Sequence, residues 1–343
     1  MMNIEAHIVS NIVILILCVG AVLLIRLIRQ ERLWREATAQ LWGRRKLAIV
    51  VVGLYLAVGV FDSVAWKGGL PEGALDVLPN APMTLLDRAF LGTKEASYSA
   101  PFASVEFYGG EALRHPGTHP FGTDILGRDV LYLSLKGARV ALLIGGLTSL
   151  IAIPLALIFG VGAGYFGGRF DDFVFFVIST LASMPGILLL IALIMAMGRG
   201  TLSVCIALGV TSWVGFCRLT RAETLKLREL DYVSAARALG VSEPRIILRH
   251  ILPNLTHLIV ITFVLMFSGL VLSEAVLAWL GIGVDGSWGQ MIDGARDELS
   301  REPVIWWNLL ASGTALFVLI LAVNAVGDAI RDVLDPRTLK VSE

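Results

Sequence analysis

The sequence has few charged residues for its length. Charged side chains make up 16% of the 343 residues, against about 25% in a typical soluble domain, while hydrophobic residues make up 56%. The 28 basic and 28 acidic residues cancel to a formal net charge of zero, which argues against a nucleic-acid partner. This composition disfavours an ordinary soluble domain and predicts a protein embedded in a lipid bilayer.

Motifs for redox, metal or nucleotide chemistry are also missing. The three cysteines, Cys18, Cys205 and Cys217, lie inside apolar runs, and the sequence has neither a CxxC pair nor a Cys/His cluster. A disulfide framework and a zinc site are therefore not indicated. The phosphate-binding pattern GxxxxGK[ST] does not occur either, so the sequence does not indicate a nucleotide site in this chain. We expect no cofactor, no metal and no catalysis by this chain.

Long apolar runs are what the sequence does have. Seven of them approach or exceed the length needed to cross a bilayer as a helix. Pro154 and Pro185 fall inside two of these runs, where proline kinks a helix. The pattern predicts an all-α membrane protein, a polytopic helical bundle with seven spans: Ile8–Ile25, Leu47–Trp66, Val140–Gly164, Phe173–Met197, Thr201–Leu219, Leu255–Leu280 and Ile305–Ile330.

The charges around the first run predict its orientation. No Lys or Arg precedes Ile8–Ile25, whereas a cluster of basic residues follows it, from Arg26 to Lys46. A secretory signal peptide has the opposite arrangement. Because cytoplasmic loops are enriched in Lys and Arg, we expect the N-terminus outside and residues 26–46 in the cytoplasm.

The polar segment Asp231–Asn254 separates two of the predicted spans. Tyr232, Val233, Ala236 and Leu239 form an apolar stripe at helical spacing. Gly240 follows the stripe, where a glycine in the left-handed conformation ends a helix. Ser242 is placed to cap a second helix with Pro244 in its first turn, and that helix is expected to run to Pro253. On composition alone the segment is an ordinary cytoplasmic loop; its small residues and arginines also suit a surface that receives a partner.

The residue order in this segment resembles the EAA loop of the membrane subunits of ATP-binding-cassette importers. That pattern is Glu-Ala-Ala, three residues, Gly, nine residues, Ile, one residue and Leu-Pro. Ser234 replaces its glutamate and His250 its isoleucine, and residues 249–254 are similar to the dipeptide, oligopeptide and nickel permease branch. The resemblance implies a loop that contacts the ATPase through Ser234, Ala235, Ala236, Arg237, Gly240, Arg249, His250, Leu252 and Pro253.

A second motif runs from His119 to Asp129 and continues to Gly137-Ala138-Arg139. Its glycines, with Thr123 or Asp124 as a cap, predict the start of a helix. The carboxylates of Asp124 and Asp129 could suggest catalysis or metal binding, but no histidine or third carboxylate stands at ligand spacing. The sequence pattern HPxGTDxxGRD followed by GAR resembles a motif of the same peptide-importer permeases, where it directly precedes the second span of the core.

The resemblance implies a six-span type I importer core preceded by one additional span. The expected divisions are an N-terminal helix at 1–30, a basic linker and first core span at 31–66, an extracytoplasmic loop at 67–138, the core at 139–331 with its coupling loop at 220–255, and a cytoplasmic tail at 332–343. The implied location is the bacterial inner membrane. The implied partners are a second homologous permease subunit, two ATPase subunits and an extracytoplasmic substrate-binding protein. Peptides are the implied substrate, with nickel chelates or another small solute as alternatives. A channel or receptor would explain the spans but not the matched loop.

Polar residues inside the spans are further candidates, because they are costly in lipid and usually face a partner or a water-filled path. We expect interhelical hydrogen bonds from Ser268, Ser273 and Asn324. Glu274 and Asp328, with Asn324, are candidates for the transport path or for interhelical contacts. An intramembrane enzyme is disfavoured, since Asp328 has no intramembrane aspartate partner and His257 has no serine nucleophile in a GxSxG setting.

Overall fold

The computed structural model describes residue 11 and residues 32–67 and 82–334. Nearly all regular structure in these ranges is helical, as the sequence predicts. The helices are α1 (Arg32–Phe61), α2 (Leu85–Ala89), α3 (Val130–Phe166), α4 (Gly168–Ala182), α5 (Gly186–Met197), α6 (Thr201–Leu227), α7 (Asp231–Ala238), α8 (Glu243–Ile246), a π-helix (Ile247–Ile251), α9 (Leu252–Trp279), α10 (Trp288–Glu298) and α11 (Trp307–Leu334). Two short strands, β1 (Ala65–Trp66) and β2 (Met83–Thr84), pair antiparallel.

The chain divides into two compact units. Unit one combines residues up to 142 with residues 278–323, and unit two combines residues 143–277 with those from 324 onward. Unit one has a hydrophobic core that consists of Tyr98, Val130, Ile305, Trp307 and Ala311. Unit two has a core in which Trp213, Phe216 and Cys217 of α6 pack with small residues of α3 and with α4.

Four helices are long and apolar enough to cross a membrane within the described ranges. They lie at Val130–Phe166, Thr201–Leu227, Glu243–Trp279 and Trp307–Asp332, and they overlap four of the predicted spans, although the third ends before the predicted limit Leu280 and the fourth begins after the predicted limit Ile305. Each extends beyond the predicted limits at one end at least. The predicted span Ile8–Ile25 lies outside the described residues apart from Asn11.

The predicted span Phe173–Met197 is wrong as a single helix. It is broken between Ala182 and Gly186, and α4 and α5 meet at 91°. Pro185 stands at the break and precedes α5 directly. A proline here removes an amide donor and disfavours the helical conformation of the residue before it, so the chain turns where the sequence led us to expect a kink.

Two other predicted boundaries also need correction. The basic linker of the 31–66 division is part of the helix α1, which has a kink at Arg45 (φ −136°, ψ 40°) and ends at Phe61 rather than Trp66. The span predicted from Val140 starts at Val130. Lys136 lowers the hydropathy of this first part, but its Nζ lies 2.5 Å from Asp87 Oδ1, so its charge is paired and the helix continues through it.

Candidate functional site

The segment expected to contact an ATPase folds as a helical hairpin, and we call residues 231–254 the coupling hairpin. Its first helix, α7, ends before Gly240, whose φ is +77°. The Gly240 amide donates to the Arg237 carbonyl at 3.0 Å, and the Val241 amide donates to the Ala236 carbonyl at 3.1 Å. This pair of bonds is the Schellman motif, which needs a left-handed residue at this position. The predicted role of Gly240 as a helix terminator is confirmed.

The second arm of the hairpin differs from the prediction. Ser242 occupies the cap position of α8, but its side chain accepts no capping hydrogen bond. The arm does not stop at Pro253 either, because α8 continues through the π-helix into α9. The Leu252 amide donates to the Ile247 carbonyl, five residues earlier. This widened turn precedes Pro253, which has no amide to donate, and the hairpin is therefore continuous with a membrane-spanning helix.

The inner face of the coupling hairpin is apolar and buried. Its buried side chains come from both arms and pack against the C-terminal end of α3. Four of them, and Leu255 directly after the hairpin, are at most 9% exposed, so the hairpin is packed against the helical bundle. The anchoring residues are Val233, Ala236, Ile246, Ile251 and Leu255, together with Val161 and Tyr165 of α3.

The outer face of the hairpin carries exposed apolar side chains. Leu239 is 84% exposed and Tyr232 is 44% exposed, although the sequence placed both on one stripe with Val233 and Ala236. Tyr232 and Leu239 lie at one edge of that stripe, and only the other part, with Val233 and Ala236, is buried. Leu248 on the second arm is 67% exposed. Exposed apolar side chains grouped on one element are a feature of contact surfaces.

A polar contact that the sequence analysis missed ties the two arms to α3. The Tyr165 hydroxyl donates to Glu243 Oε2. Arg237 Nε lies 3.6 Å from Glu243 Oε1, and the Arg237 guanidinium lies 5.4 Å from the centre of the Tyr165 ring. Glu243 thus links the end of α3, α7 and α8. The only hint in the sequence was an acidic residue directly after the cap position.

His250 belongs to a second contact between the arms. Its ring centre lies 6.0 Å from that of Tyr232. Asn254 Nδ2 donates to the His250 carbonyl at 2.6 Å and to the Tyr232 hydroxyl at 3.2 Å. An imidazole at the position of the usual isoleucine therefore lies beside a tyrosine and close to an amide, rather than in an apolar pocket.

The predicted coupling residues are all brought together on this hairpin, with different exposure. Ala236 is buried, and His250 and Leu252 are partly buried. The others present a mostly small, basic surface to solvent: Ser234, Ala235, Arg237, Gly240, Arg249 and Pro253.

The polar residues in the spans have separate environments. Ser268 Oγ donates to Asn324 Oδ1 at 2.9 Å between α9 and α11, which confirms the interhelical expectation for this pair. Ser273 differs, since its hydroxyl donates to Gly269 within the same helix at 2.8 Å. Glu274 is buried and Asp328 is exposed.

The motif at residues 119–129 contains a contact that its spacing did not predict. His119 is 1% exposed; its Nδ1 lies 2.8 Å from Asp129 Oδ2 and its Nε2 lies 3.5 Å from Glu95 Oε1. The residue spacing gave no sign of these two contacts, which His119 makes with Asp129 and Glu95. Glu95 lies far away in the sequence, so spacing within the motif could not reveal it.

Asp129, rather than Thr123 or Asp124, starts the following helix. Its Oδ1 accepts from the Leu131 amide at 2.7 Å. Asp124 instead closes the preceding turn, with Oδ1 accepting from the amides of Leu126 and Arg128. Within 32–67 and 82–334, no group of three or more His, Cys, Asp or Glu side chains has an arrangement suited to a metal ion.

Comparison with known proteins shows similarity to membrane components of transport systems. Residues 152–340 match the family described as the inner membrane component of binding-protein-dependent transport systems. A Brucella suis protein named a peptide transport system permease protein is 42% identical over 227 residues, which is 65% of this chain and 75% of that protein. The dipeptide transport system permease protein DppC of Bacillus subtilis is 36% identical over 64% of this chain and 69% of its own length. The glutathione transport system permease protein GsiD of Pectobacterium atrosepticum is 33% identical over 71% and 81%.

Proposed function

The chain belongs to the family of inner membrane components of binding-protein-dependent transport systems, and we propose that it is a permease subunit of a peptide importer. The relatives named above are permeases for peptides, dipeptides and glutathione, which supports a peptide substrate. The subunit would form half of the translocation path and would leave ATP hydrolysis to its partners.

The coupling hairpin is the observation that carries this proposal. Its inner face is anchored to α3 by buried side chains, while Leu239 and three small residues of α7, Ser234, Ala235 and Ala238, remain exposed. Because α8 runs without interruption into α9, a displacement of the hairpin would move a span directly. Closure of two ATPase subunits would then drive the alternation between inward-open and outward-open states.

The remaining partners follow from the family. A second, homologous permease subunit would complete the path, and an extracytoplasmic binding protein would deliver the substrate. Glu274 and Asp328 remain candidates for lining the translocation path, whereas the Asn324 side chain accepts a hydrogen bond from Ser268.

The test is co-purification of ATPase subunits with the tagged full-length chain, followed by uptake of a radiolabelled dipeptide into proteoliposomes that contain ATP in the lumen and have the binding protein added outside. Leu239→Asp should reduce ATPase recovery, because it places a charge on the most exposed apolar side chain of the hairpin. Leu126→Asp is a matched control, since Leu126 is 55% exposed outside the hairpin. Equal ATPase recovery with both variants would contradict the coupling role, and uptake of only a non-peptide solute would contradict the substrate class.

A further inference from the structure

The coupling hairpin contacts two membrane-spanning helices but is continuous in sequence with only one of them. Its second arm runs directly into α9. In contrast, α3 ends at Phe166, well before the hairpin begins at Asp231, so a motion of the hairpin must reach α3 through side chains. The side chains that form this contact therefore decide whether α3 follows the hairpin.

The apolar part of this contact holds the hairpin against α3. Val161 and Tyr165 of α3 pack with Val233, Ala236 and Ile246 of the hairpin, and Tyr165 is only 5% exposed. Apolar burial is favourable but non-directional, whereas a hydrogen bond weakens steeply when its angle changes. A polar contact is therefore better suited to fix the orientation of the hairpin relative to α3.

Glu243 supplies such a directional contact, because its two carboxylate oxygens have different partners. Oε2 accepts a hydrogen bond from the Tyr165 hydroxyl at the end of α3, and Oε1 lies 3.6 Å from Arg237 Nε in α7. Glu243 is itself the first residue of α8. An acidic residue at the start of a helix is stabilising on its own, but that effect requires neither partner. The Glu243 side chain thus joins three helices.

The end of α3 is packed tightly, so a displacement at Tyr165 acts on the helix itself. Arg228 Nη1 donates to the Gly164 carbonyl at 3.0 Å. A Cβ at Gly164 would lie 2.7 Å from the Arg221 carbonyl oxygen and 2.8 Å from the Thr224 Cβ. Distances this short mean that the last turn of α3 lies directly against the backbone of α6.

We propose that Glu243 is a positioning residue for coupling. Its contacts with Tyr165 and Arg237 fix the hairpin against α3, so that a displacement imposed on the hairpin moves α3 together with α9. This role rests on the coupling function proposed above for the hairpin, and it adds a second route that runs through side chains. Glu243 acts on transport through Tyr165, which is buried and does not need to touch the ATPase.

The experiment measures dipeptide uptake and ATP hydrolysis by the complete complex in proteoliposomes, with ATP in the lumen and the binding protein outside. The decisive quantity is the number of dipeptides taken up per ATP hydrolysed. Tyr165→Phe removes one hydroxyl and keeps the buried ring. It should lower this ratio about fivefold, the factor that corresponds to a typical net hydrogen bond, while ATPase recovery and the unfolding temperature stay close to those of the wild type.

Further variants show whether Tyr165 and Glu243 act as one unit. Glu243→Ala should lower the ratio by a similar factor, and adding Tyr165→Phe to it should lower the ratio no further, because both changes remove the same contact. Tyr132→Phe is the matched control. The Tyr132 hydroxyl also donates to a carboxylate, that of Asp87 at 2.6 Å, but near the start of α3, so its removal should leave the ratio unchanged.

Three results would overturn the positioning role of Glu243: a wild-type ratio in Tyr165→Phe, additive losses in the double variant, and an equal loss in Tyr132→Phe. A fall in ATPase recovery that accounts for the lost uptake of Tyr165→Phe would also overturn it, since the contact would then only support the fold. Absence of dipeptide uptake by the wild type would contradict the importer assignment and this role with it. Normal wild-type uptake with unchanged ratios in the variants would contradict the positioning role alone.

Discussion

Replacing Gly240 by valine should uncouple transport from ATP hydrolysis without unfolding the subunit. Gly240 has a φ of +77° and closes α7 through the Schellman bonds. A Cβ at this position would meet no atom within 4 Å. The Cβ of valine therefore has room, and the cost that we assign to the substitution is that of the left-handed backbone conformation.

The size of that cost decides what the substitution does. A left-handed conformation costs an L-residue roughly 1–2 kcal/mol. Each fully buried Val, Leu or Ile side chain contributes about 1.5–3 kcal/mol, and the hairpin is anchored by Val233, Ile246, Ile251 and Leu255 at 0% exposure. The anchors outweigh the strain, so the hairpin should stay docked while its turn, and the exposed Leu239 beside it, take another direction.

The assay is dipeptide uptake and ATPase rate in proteoliposomes containing the complete complex. Gly240→Val should insert normally, with uptake reduced steeply and with ATPase subunits either bound weakly or hydrolysing ATP without import. Gly240→Asn is the matched control, because asparagine tolerates the left-handed region better than valine, and it should retain most of the uptake. Wild-type uptake by Gly240→Val would refute the reasoning.

Four further predictions concern other parts of the chain. Ser234→Glu should tighten assembly with the ATPase by about 0.5–1 kcal/mol, the range for a partly exposed ion pair; unchanged salt resistance of the complex would place the contact elsewhere, such as at Asp231. A reporter at residue 1 that fluoresces only in the cytoplasm should stay dark, since the Asn11 side chain exchanges hydrogen bonds of 2.7 and 3.0 Å with the Ala65 backbone beyond the end of α1; a bright signal would contradict the added span. Burial would raise the pKa of Glu95, but hydrogen bonds from the amides of residues 114 and 115 and from His119 lower it below the ordinary value for a glutamate, so its stabilisation is present above that value and lost as the pH falls through the lowered pKa. The protection factors of those two amides, which correct hydrogen exchange for its intrinsic pH dependence, should fall on acidification, and should fall less in Glu95→Gln. The pKa of Glu298 is raised, mainly by burial, so its ionisation costs stability as the pH rises through that pKa, and Glu298→Gln should unfold at an equal or higher temperature at neutral pH; a lower one would mean that its partners stabilise the carboxylate.

Features set by local chemistry could be predicted from the sequence. Hydropathy located the apolar helices, because a bilayer requires a continuous apolar stretch. Gly240 was identifiable because few residues other than glycine take the left-handed conformation that ends a helix. The limits of α3 were misjudged because Lys136 lowers the hydropathy of a stretch where Asp87 neutralises its charge.

Features that depend on residues far apart in the sequence could not be predicted. Glu95 and His119 meet across 24 positions, and Tyr165 and Glu243 meet across 78. The exposure of Leu239 depends on which edge of the apolar stripe packs against α3. The Asn308 side chain in α11 and the Glu298 carboxylate in α10 also meet, with the amide nitrogen 2.8 Å from both carboxylate oxygens.

The π-helix at Ile247–Ile251 affects which direction the side chains on either side of it face. A π turn holds one residue more than an α turn, so it acts as a single-residue insertion. Each residue rotates an α-helix by about 100°, so the extra residue sets how the hairpin side of the helix is phased against its membrane side. Deleting one residue here would restore the α-helical register and turn Ser268 away from Asn324, or else turn the hairpin away from α3. The length of this stretch is therefore constrained independently of its composition, and insertions or deletions should be tolerated here far less than substitutions at exposed positions such as Leu248.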